Sequence, residues 1–230
     1  MTVIDVAAGP GFAAFELSGL VGPRGRVVAL ERSPSLAMAL TMMAEARRLT
    51  NIAVLQTDIA SFAWPEGIAD VVWCRFALAL LKDPVSALQG MVRALKPGGA
   101  ILLQEAFDCR SWRLAPRSPE FESYVAKLIE KRRADGEEPE IGLDLQRMLI
   151  EAGMRFDLVQ PITFATQPGE LAWEWRASFV RNHVQELAAA DVLSPAEADT
   201  IRSILADYES KPDTRMFSSG VLQVVARKPR

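Results

Sequence analysis

The sequence predicts an α/β fold in which a mostly parallel sheet carries helices on both faces. Three observations predict this fold. Over the first 105 residues, short apolar segments alternate with amphipathic ones in the order β-α-β-α-β-α-β, joined by short connections. The first strand runs directly into a glycine loop and a helix. Two later apolar segments, at 155–164 and 220–226, are predicted as a sixth and a seventh strand.

The first segment, Val3 to Phe12, organises the rest of the chain. A strand at 3–6 is followed by Gly9 and Gly11, and apolar residues recur at helical spacing from Phe12 onward. Glycine has no Cβ atom, so such a loop can bring backbone N–H groups close to a nucleotide-like ligand. The segment 9–14 also fits the G-x-G-x-x-[GA] pattern of NAD-binding folds, so the loop alone leaves the ligand open.

The other elements are bounded by proline, glycine and capping residues. Ser33-Pro34 and Ser118-Pro119 each place a serine N-cap before a proline at the first helical position. Lys96 to Gly99 is predicted as a helix stop and a turn. The further predicted strands are 26–30, 51–56, 69–73 and 100–104; the further helices are 34–49, 85–95, one from 118, 143–152 and two within 169–209.

Composition excludes several classes of protein. The 230 residues, half of them apolar, suit one domain, and a formal net charge of −3 gives no basic field to attract nucleic acid. The two cysteines, Cys74 and Cys109, are too few for a disulfide scaffold or zinc cluster, which predicts a cytoplasmic location. Neither a signal peptide nor about 18 uninterrupted apolar residues is found, so no membrane span is expected.

Five motifs occur in an order and spacing typical of one enzyme family. They are Val3-Ile-Asp-Val-Ala-Ala-Gly-Pro-Gly11, Glu31-Arg-Ser-Pro34, Asp58, Asp70-Val-Val-Trp-Cys-Arg-Phe-Ala-Leu78 and Leu95-Lys-Pro-Gly-Gly99. Together they resemble a class I S-adenosylmethionine-dependent methyltransferase, most of all the small-molecule type related to the ubiquinone/menaquinone-biosynthesis methyltransferases. The resemblance is close over residues 2–105 and looser over 142–164 and 220–227. The last motif discriminates most, because NAD-binding folds do not require it.

The resemblance implies a Rossmann-like seven-stranded sheet whose last strand is antiparallel, in a single domain spanning residues 1–230. It also implies S-adenosyl-L-methionine as cofactor, whose diol, amino and ammonium groups prefer acceptor or anionic partners. The implied cofactor-binding residues are Asp5, Ala7, Gly9 and Gly11 around the methionine portion, Glu31 at the ribose hydroxyls, Arg32 and Ser33 at the adenine edge, Asp58 at the adenine amino group with Ile59 beside the ring, and Arg75 at the cofactor carboxylate or the substrate.

Three departures from the family pattern matter. Ala7 replaces the first loop glycine, which is tolerable if its φ is negative. Phe76 to Leu80 replaces a histidine pair, so no base is inherited there. Relatives carry an N-terminal helical cover before the loop, whereas here the loop lies near Met1. We expect helical insertions at 111–140 and 169–215, or the partner in a homodimer, to form the substrate lid; a late recorded start or a degraded site are the alternatives.

No catalytic base is identified, and three residues are weak candidates. His183 is the only histidine, and a surface or core role is the alternative. Glu105 and Asp108 follow the fifth strand and could orient a substrate, or serve as capping or solvated acids. Cys74 is predicted as a buried, inert thiol. No metal site is expected, because Trp73-Cys74-Arg75 stands where metal-dependent relatives have carboxylates.

The predicted function is methyl transfer from S-adenosylmethionine to an oxygen, nitrogen or carbon nucleophile of a small, partly apolar metabolite. Aromatic residues outside the core alternation favour a pocket for an apolar or planar substrate, although core packing is the default interpretation for each. They are Phe107, Trp112, Phe121, Tyr124, Trp173, Trp175 and Phe217. One alternative is a protein that binds S-adenosylmethionine and serves another reaction or a partner. An NAD(P)-dependent oxidoreductase is a further alternative, and no nucleic-acid partner is expected.

Overall fold

All residues, 1–230, are described from a computed structural model. The chain forms ten strands and seven helices. In chain order they are β1 (Thr2–Val6), α1 (Phe12–Val21), β2 (Arg26–Glu31), α2 (Pro34–Ala46), β3 (Ile52–Gln56), β4 (Ala69–Arg75), α3 (Pro84–Ala94), β5 (Leu95–Asp108), β6 (Arg113–Ala115), α4 (Pro119–Ala134), α5 (Leu145–Glu151), β7 (Arg155–Ile162), β8 (Ala165–Thr166), α6 (Leu171–Ala189), α7 (Pro195–Glu209), β9 (Arg215–Phe217) and β10 (Gly220–Arg227).

Seven strands form one sheet in the order β3-β2-β1-β4-β5-β10-β7. The pairs β1–β2, β1–β4, β2–β3 and β4–β5 are all parallel. Strand β10 runs antiparallel to β5, since Lys228 N–H donates to the Gly99 carbonyl while Gln104 contacts Gln223 further along. The predicted seven-stranded, mostly parallel sheet with an antiparallel last strand is therefore confirmed.

Capping residues begin the helices where the sequence predicts. The Ser33 hydroxyl accepts from Leu36 N–H at the start of α2, and the Ser118 hydroxyl accepts from Phe121 N–H at the start of α4. Helix α7 begins with a reciprocal capping box between Ser194 and Glu197. These local hydrogen bonds satisfy N–H groups that have no partner inside the helix, which is why the starts were predictable.

Several boundaries differ from the prediction. Helix α2 ends at Ala46 rather than at residue 49. The predicted turn at Lys96–Gly99 belongs to β5, although the register against β4 shifts there and Gly98 has φ +79°. The small sheet β6-β9-β8 was not predicted, because strands of two or three residues carry no periodic signal.

The chain divides into two compact units, each with its own hydrophobic core. The first comprises Met1–Glu105, Ile141–Gln160 and Leu222–Arg230, and the second comprises Ala106–Glu140 and Pro161–Val221. The second unit contains the whole of both predicted helical insertions, 111–140 and 169–215. Their role as a substrate lid stays a prediction. None of the helices combines the length and apolar character that a membrane crossing requires.

The end of α2 offers a test of backbone strain. Arg48 has φ +56° because Leu49 N–H bonds back to the Ala44 carbonyl and Arg48 N–H to the Glu45 carbonyl. We expect Arg48→Gly to raise the free energy of unfolding by about 0.5–1 kcal/mol, since glycine adopts this conformation without a Cβ clash. Denaturant unfolding measures the change.

A matched control lies at the end of α5. Gly153 has φ +75° in the same hydrogen-bonding arrangement, and an added Cβ would meet no atom within 4 Å. Gly153→Ala is therefore expected to lower the stability by a similar amount through backbone strain alone. A destabilised Arg48→Gly variant would contradict the strain argument.

Candidate functional site

The glycine loop after β1 has three residues in the left-handed region. Ala7, Gly9 and Gly11 have φ of +55°, +57° and +96°. The condition set for a tolerable alanine at this position, a negative φ, is therefore not met: the chain turns sharply at the end of β1, and Ala7 adopts the strained conformation. A Cβ on Gly11 would lie 2.6 Å from the Leu40 side chain, so this glycine allows close packing of α1. A Cβ on Gly9 would meet open space.

The N–H groups of the loop are satisfied within the protein. Ala8 N–H donates to the Leu30 carbonyl, Gly9 N–H to the Glu31 carboxylate, and Gly11 N–H to the Ala8 carbonyl. The intervening Pro10 has no N–H to offer. The sequence suggested that loop amides would face a nucleotide-like ligand, but residues 8–11 leave none of theirs free. A pyrophosphate, which needs such donors, has no amide to bind in this segment.

Glu31 joins the glycine loop to the end of β2. Its Oε2 accepts from Gly9 N–H and its Oε1 from Ser33 N–H, both at 2.8 Å, and the residue is 6% exposed. A carboxylate oxygen can accept more than one hydrogen bond, so both oxygens retain acceptor capacity. The carboxylate is thus fixed in place beside the loop and can still accept from hydroxyl groups.

Asp5 carries an unsatisfied buried acceptor at the end of β1. The residue is 1% exposed, and its Oδ2 has no hydrogen-bond partner. Burial raises the pKa of Asp5 to about 7, while the Arg75 guanidinium acts in the opposite direction. An unpartnered buried oxygen is costly in a folded protein, and this one leaves an acceptor open at the end of β1.

The remaining predicted cofactor residues lie at other strand ends of the same unit. The Asp58 Oδ1 accepts from Ala60 N–H at 2.9 Å in a turn after β3, and the side chain is exposed. Its neighbour Ile59 is buried, and Arg32 after β2 is exposed. Arg75, at the end of β4, is exposed and lies close enough to influence the titration of Asp5. Their roles at a cofactor stay predictions.

Glu105 has a clearer structural role than the sequence indicated. Its Oε1 accepts from the N–H groups of Ala77 and Leu78, both at 2.8 Å, in the loop that follows β4. The side chain is fully buried, its Oε2 has no partner, and burial raises its pKa to about 7. Glu105 thereby fixes the loop in which Phe76 has φ +53°. The sequence showed only its place after the predicted fifth strand at 100–104, whereas in the structure β5 continues to Asp108 and includes Glu105.

Cys74 lies beside these acids and is fully buried. Burial, with the nearby charges of Glu105 and Asp5, raises the pKa of the thiol well above its usual value. The structure therefore gives this cysteine the environment of an inert thiol, as expected.

The two other catalytic candidates belong to the second unit. The Arg132 guanidinium donates to His183 Nε2 at 2.8 Å, so His183 Nδ1 carries the proton and donates to the Phe179 carbonyl at 2.8 Å. Both ring nitrogens are engaged, and burial lowers the pKa of His183, so the neutral ring has no free nitrogen to act as a base. Asp108 caps a short 3-10 turn by accepting from Ser111 N–H.

Most of the singled-out aromatic residues pack inside the second unit. Trp112 makes edge contacts with Phe121 and Tyr124 at centroid distances of 5.6 and 6.2 Å. Trp175 and Phe217, by contrast, are 41% and 47% exposed. Core packing is thus the main role of the set. No group of three or more His, Cys, Asp or Glu side chains is arranged to hold a metal ion.

The strand order and the acidic strand ends around the glycine loop define a class I methyltransferase fold. The sequence profile of the methyltransferase domain family matches residues 1–153. The chain belongs to that family.

Individual similarities are more distant. The ubiquinone/menaquinone biosynthesis C-methyltransferase UbiE of Shewanella frigidimarina is 28% identical over 172 residues, and the match spans 66% of each chain, just under two thirds of the relative. A Bacillus halodurans protein solved as a candidate methyltransferase has a TM-score of 0.64 and 18% identity, covering 100% of this chain and 93% of its own. The [4+2]-cyclase SpnF has a TM-score of 0.60 and 19% identity, covering 99% and 74%.

Proposed function

We propose that this protein transfers a methyl group from S-adenosyl-L-methionine to a small, partly apolar metabolite. One observation carries the proposal: the glycine loop has no free amide at residues 8–11, whereas the acids around it offer acceptors. Such a site fits a ligand that is rich in donors and carries a cation. Its residues 8–11 offer no amide to the pyrophosphate of a dinucleotide, which argues against an NAD(P)-dependent oxidoreductase.

The residues present fit the cofactor group by group. The unsatisfied Oδ2 of Asp5 suits the ammonium of the methionine portion, since a cation restores the charged form of the buried carboxyl. Glu31, held by two backbone N–H groups, suits the ribose diol. Asp58 retains a carboxylate oxygen for an exocyclic amine. The bound cofactor would supply an activated methyl group on a sulfonium.

The chain's own contribution is to position groups rather than to exchange protons. Transfer to a nucleophile is accelerated mainly by alignment and exclusion of water. Glu105 contributes by fixing the loop after β4 through Ala77 and Leu78 N–H, next to the exposed Arg75. The acceptor atom is an oxygen, nitrogen or carbon; carbon has the support of the UbiE relatives, which are named as C-methyltransferases.

A second candidate has a specific observation in its favour. The structural neighbour SpnF is described as a [4+2]-cyclase, so this fold also serves reactions other than methyl transfer. In that case the chain would bind S-adenosylmethionine while the second unit served another reaction or a partner. A homodimer and a cytoplasmic location remain predictions.

Two measurements test the proposal. Calorimetric titration with S-adenosylmethionine is expected to give binding, and the same titration with NAD is expected to give none. Incubation with methyl-labelled cofactor and a panel of small aromatic and apolar metabolites is then expected to label at least one of them. Binding without any label transfer would favour the second candidate, and binding of NAD alone would reject both.

A further inference from the structure

The second unit contains a buried arginine without a partner. Arg176 on α6 is 6% exposed and is the one lysine or arginine among the buried residues of the chain. It makes no hydrogen bond or salt bridge, and its Nε is fully buried without an acceptor. Arginine is rarely buried unless an acid or a carbonyl group pairs with it. An uncompensated guanidinium in this position is therefore an unusual feature that folding alone does not explain.

Arg176 lies among apolar residues on the buried face of α6. The buried face of α6 is otherwise largely apolar, with Trp173, Ala177 and Val180 around the arginine. The Arg176 guanidinium is thus a charged group on a helix face whose adjacent residues are apolar. Burial lowers the pKa of Arg176 to about 10, with no acid acting in the opposite direction, and the group is still cationic at neutral pH.

Several other cations in the same unit are paired with acids. Arg181, on the same helix, contacts the Glu209 carboxylate, and Arg132 contacts Glu137 at 2.8 Å. These pairs are considerably more exposed than Arg176. The contrast indicates that the unit does not lack acids in general, but that none is placed at Arg176.

Two aromatic rings flank the guanidinium. Its Cζ lies 4.9 Å from the centroid of the Phe164 ring and 5.3 Å from that of Trp175. These cation–π contacts stabilise the charge in part, but the buried Nε–H still has no acceptor within the protein. Phe164 and Trp175 are 39% and 41% exposed, so the rings extend from the buried charge to the surface.

We propose that Arg176 is the anion-binding residue of a site that takes a small organic acid with a planar, apolar body. The carboxylate or phosphate of the ligand would accept from the guanidinium edge, in the bidentate geometry that arginine favours. The body of the ligand would lie against Phe164 and Trp175. As a statement about the methyl acceptor, this inference rests on the proposed function; the binding itself does not.

The test uses the full chain without S-adenosylmethionine, so that its failure is separate from a failure of methyl transfer. Calorimetric titrations with benzoate and phenyl phosphate are compared with neutral benzamide. Both anions are expected to bind at least about tenfold more tightly than benzamide. Benzamide lacks the negative charge, and a hydrogen bond to a charged group contributes at least this much affinity. The ratio between the two anions distinguishes a carboxylate ligand from a phosphate ligand.

Three variants locate the effect. Arg176→Gln is expected to weaken binding of the anions at least about tenfold and to leave benzamide unchanged, with Arg176→Lys intermediate. Arg181→Gln, on the exposed face of the same helix, is the matched control and is expected to bind all three probes as the parent does. The proposal would be overturned if the anions bound the parent no more tightly than benzamide does, or if they bound Arg176→Gln as tightly as the parent.

A stability measurement covers the case in which a variant folds poorly. Arg176→Met keeps an unbranched apolar stem, two atoms shorter than arginine, and removes the unpaired charge. Its unfolding temperature without ligand is expected to rise, on the order of 2 °C, because an uncompensated buried charge is lost. A fall in the unfolding temperature would mean that Arg176 is part of the structural core, and would reject its assignment to a ligand.

Discussion

Glu31→Ala is expected to weaken binding of S-adenosylmethionine at least about a hundredfold, which corresponds to roughly 2.7 kcal/mol. The carboxylate is 6% exposed and is held by the N–H groups of Gly9 and Ser33. Removing it deletes the acceptor that we propose for the ribose diol, where each charge-assisted hydrogen bond contributes about 1.5–3 kcal/mol. It also releases the glycine loop, whose position depends on the bond from Gly9. Calorimetric titration measures the affinity.

Two further variants separate these effects. Glu31→Gln keeps an acceptor oxygen but loses the charge, and its affinity is expected to lie between those of the parent and Glu31→Ala. Glu16→Ala removes an exposed acid from α1 and is expected to bind as the parent does. Parent-like binding by Glu31→Ala would remove Glu31 from the cofactor site and would undermine the proposed function.

The second large effect is a loss of stability as the pH rises from about 4 to about 7. Burial raises the pKa values of Asp5 and Glu105 to about 7, from 3.8 and 4.5. Between those values the unfolded chain releases protons that the folded chain retains, so stability falls with rising pH. The stability that the two neutral carboxyls provide is fully present below their pKa values in the unfolded chain, and it is lost by the time the pH has risen through their folded pKa values of about 7. Its size is on the order of a few kcal/mol.

Isosteric amides identify the groups responsible. Asp5→Asn and Glu105→Gln cannot ionise, so each is expected to flatten part of the decline and to unfold at higher denaturant concentration at pH 8 than the parent does. The Gln side chain can still accept from Ala77 and Leu78 N–H. Denaturant midpoints measured from pH 4 to pH 8 give the profile. A parent whose stability is flat or rises over this range would show that the two carboxyls are not held neutral.

The same variants separate stability from binding. Asp5→Asn is expected to be more stable than the parent at pH 8 and yet to bind S-adenosylmethionine less tightly, because the buried anion that would pair with the ammonium is absent. Stability and function then move in opposite directions, as is common where a binding site contains unsatisfied polar groups. Asp5→Asn with unchanged affinity would assign the ammonium to another partner.

The sequence by itself determined the succession of the helices and of the seven strands of the main sheet, several capping residues and the acids at the strand ends. Asp5, Glu31 and Asp58 were predictable because periodicity, turn chemistry and strand order are local signals, and the carboxyl ends of parallel strands meet at one edge. The same local signals gave Ser33 and Ser118 as helix starts.

Only the tertiary structure decided which polar groups have partners. Gly9 meets Glu31 across 22 residues, and Ala77 meets Glu105 across 28, so no local pattern reveals these bonds. The left-handed φ of Ala7 follows from the turn that the folded loop must make. The isolation of Arg176 is likewise a property of packing, because burial and the absence of an acid depend on segments far apart in the chain. Hydrogen bonding and desolvation depend on proximity in space, which the folded chain establishes.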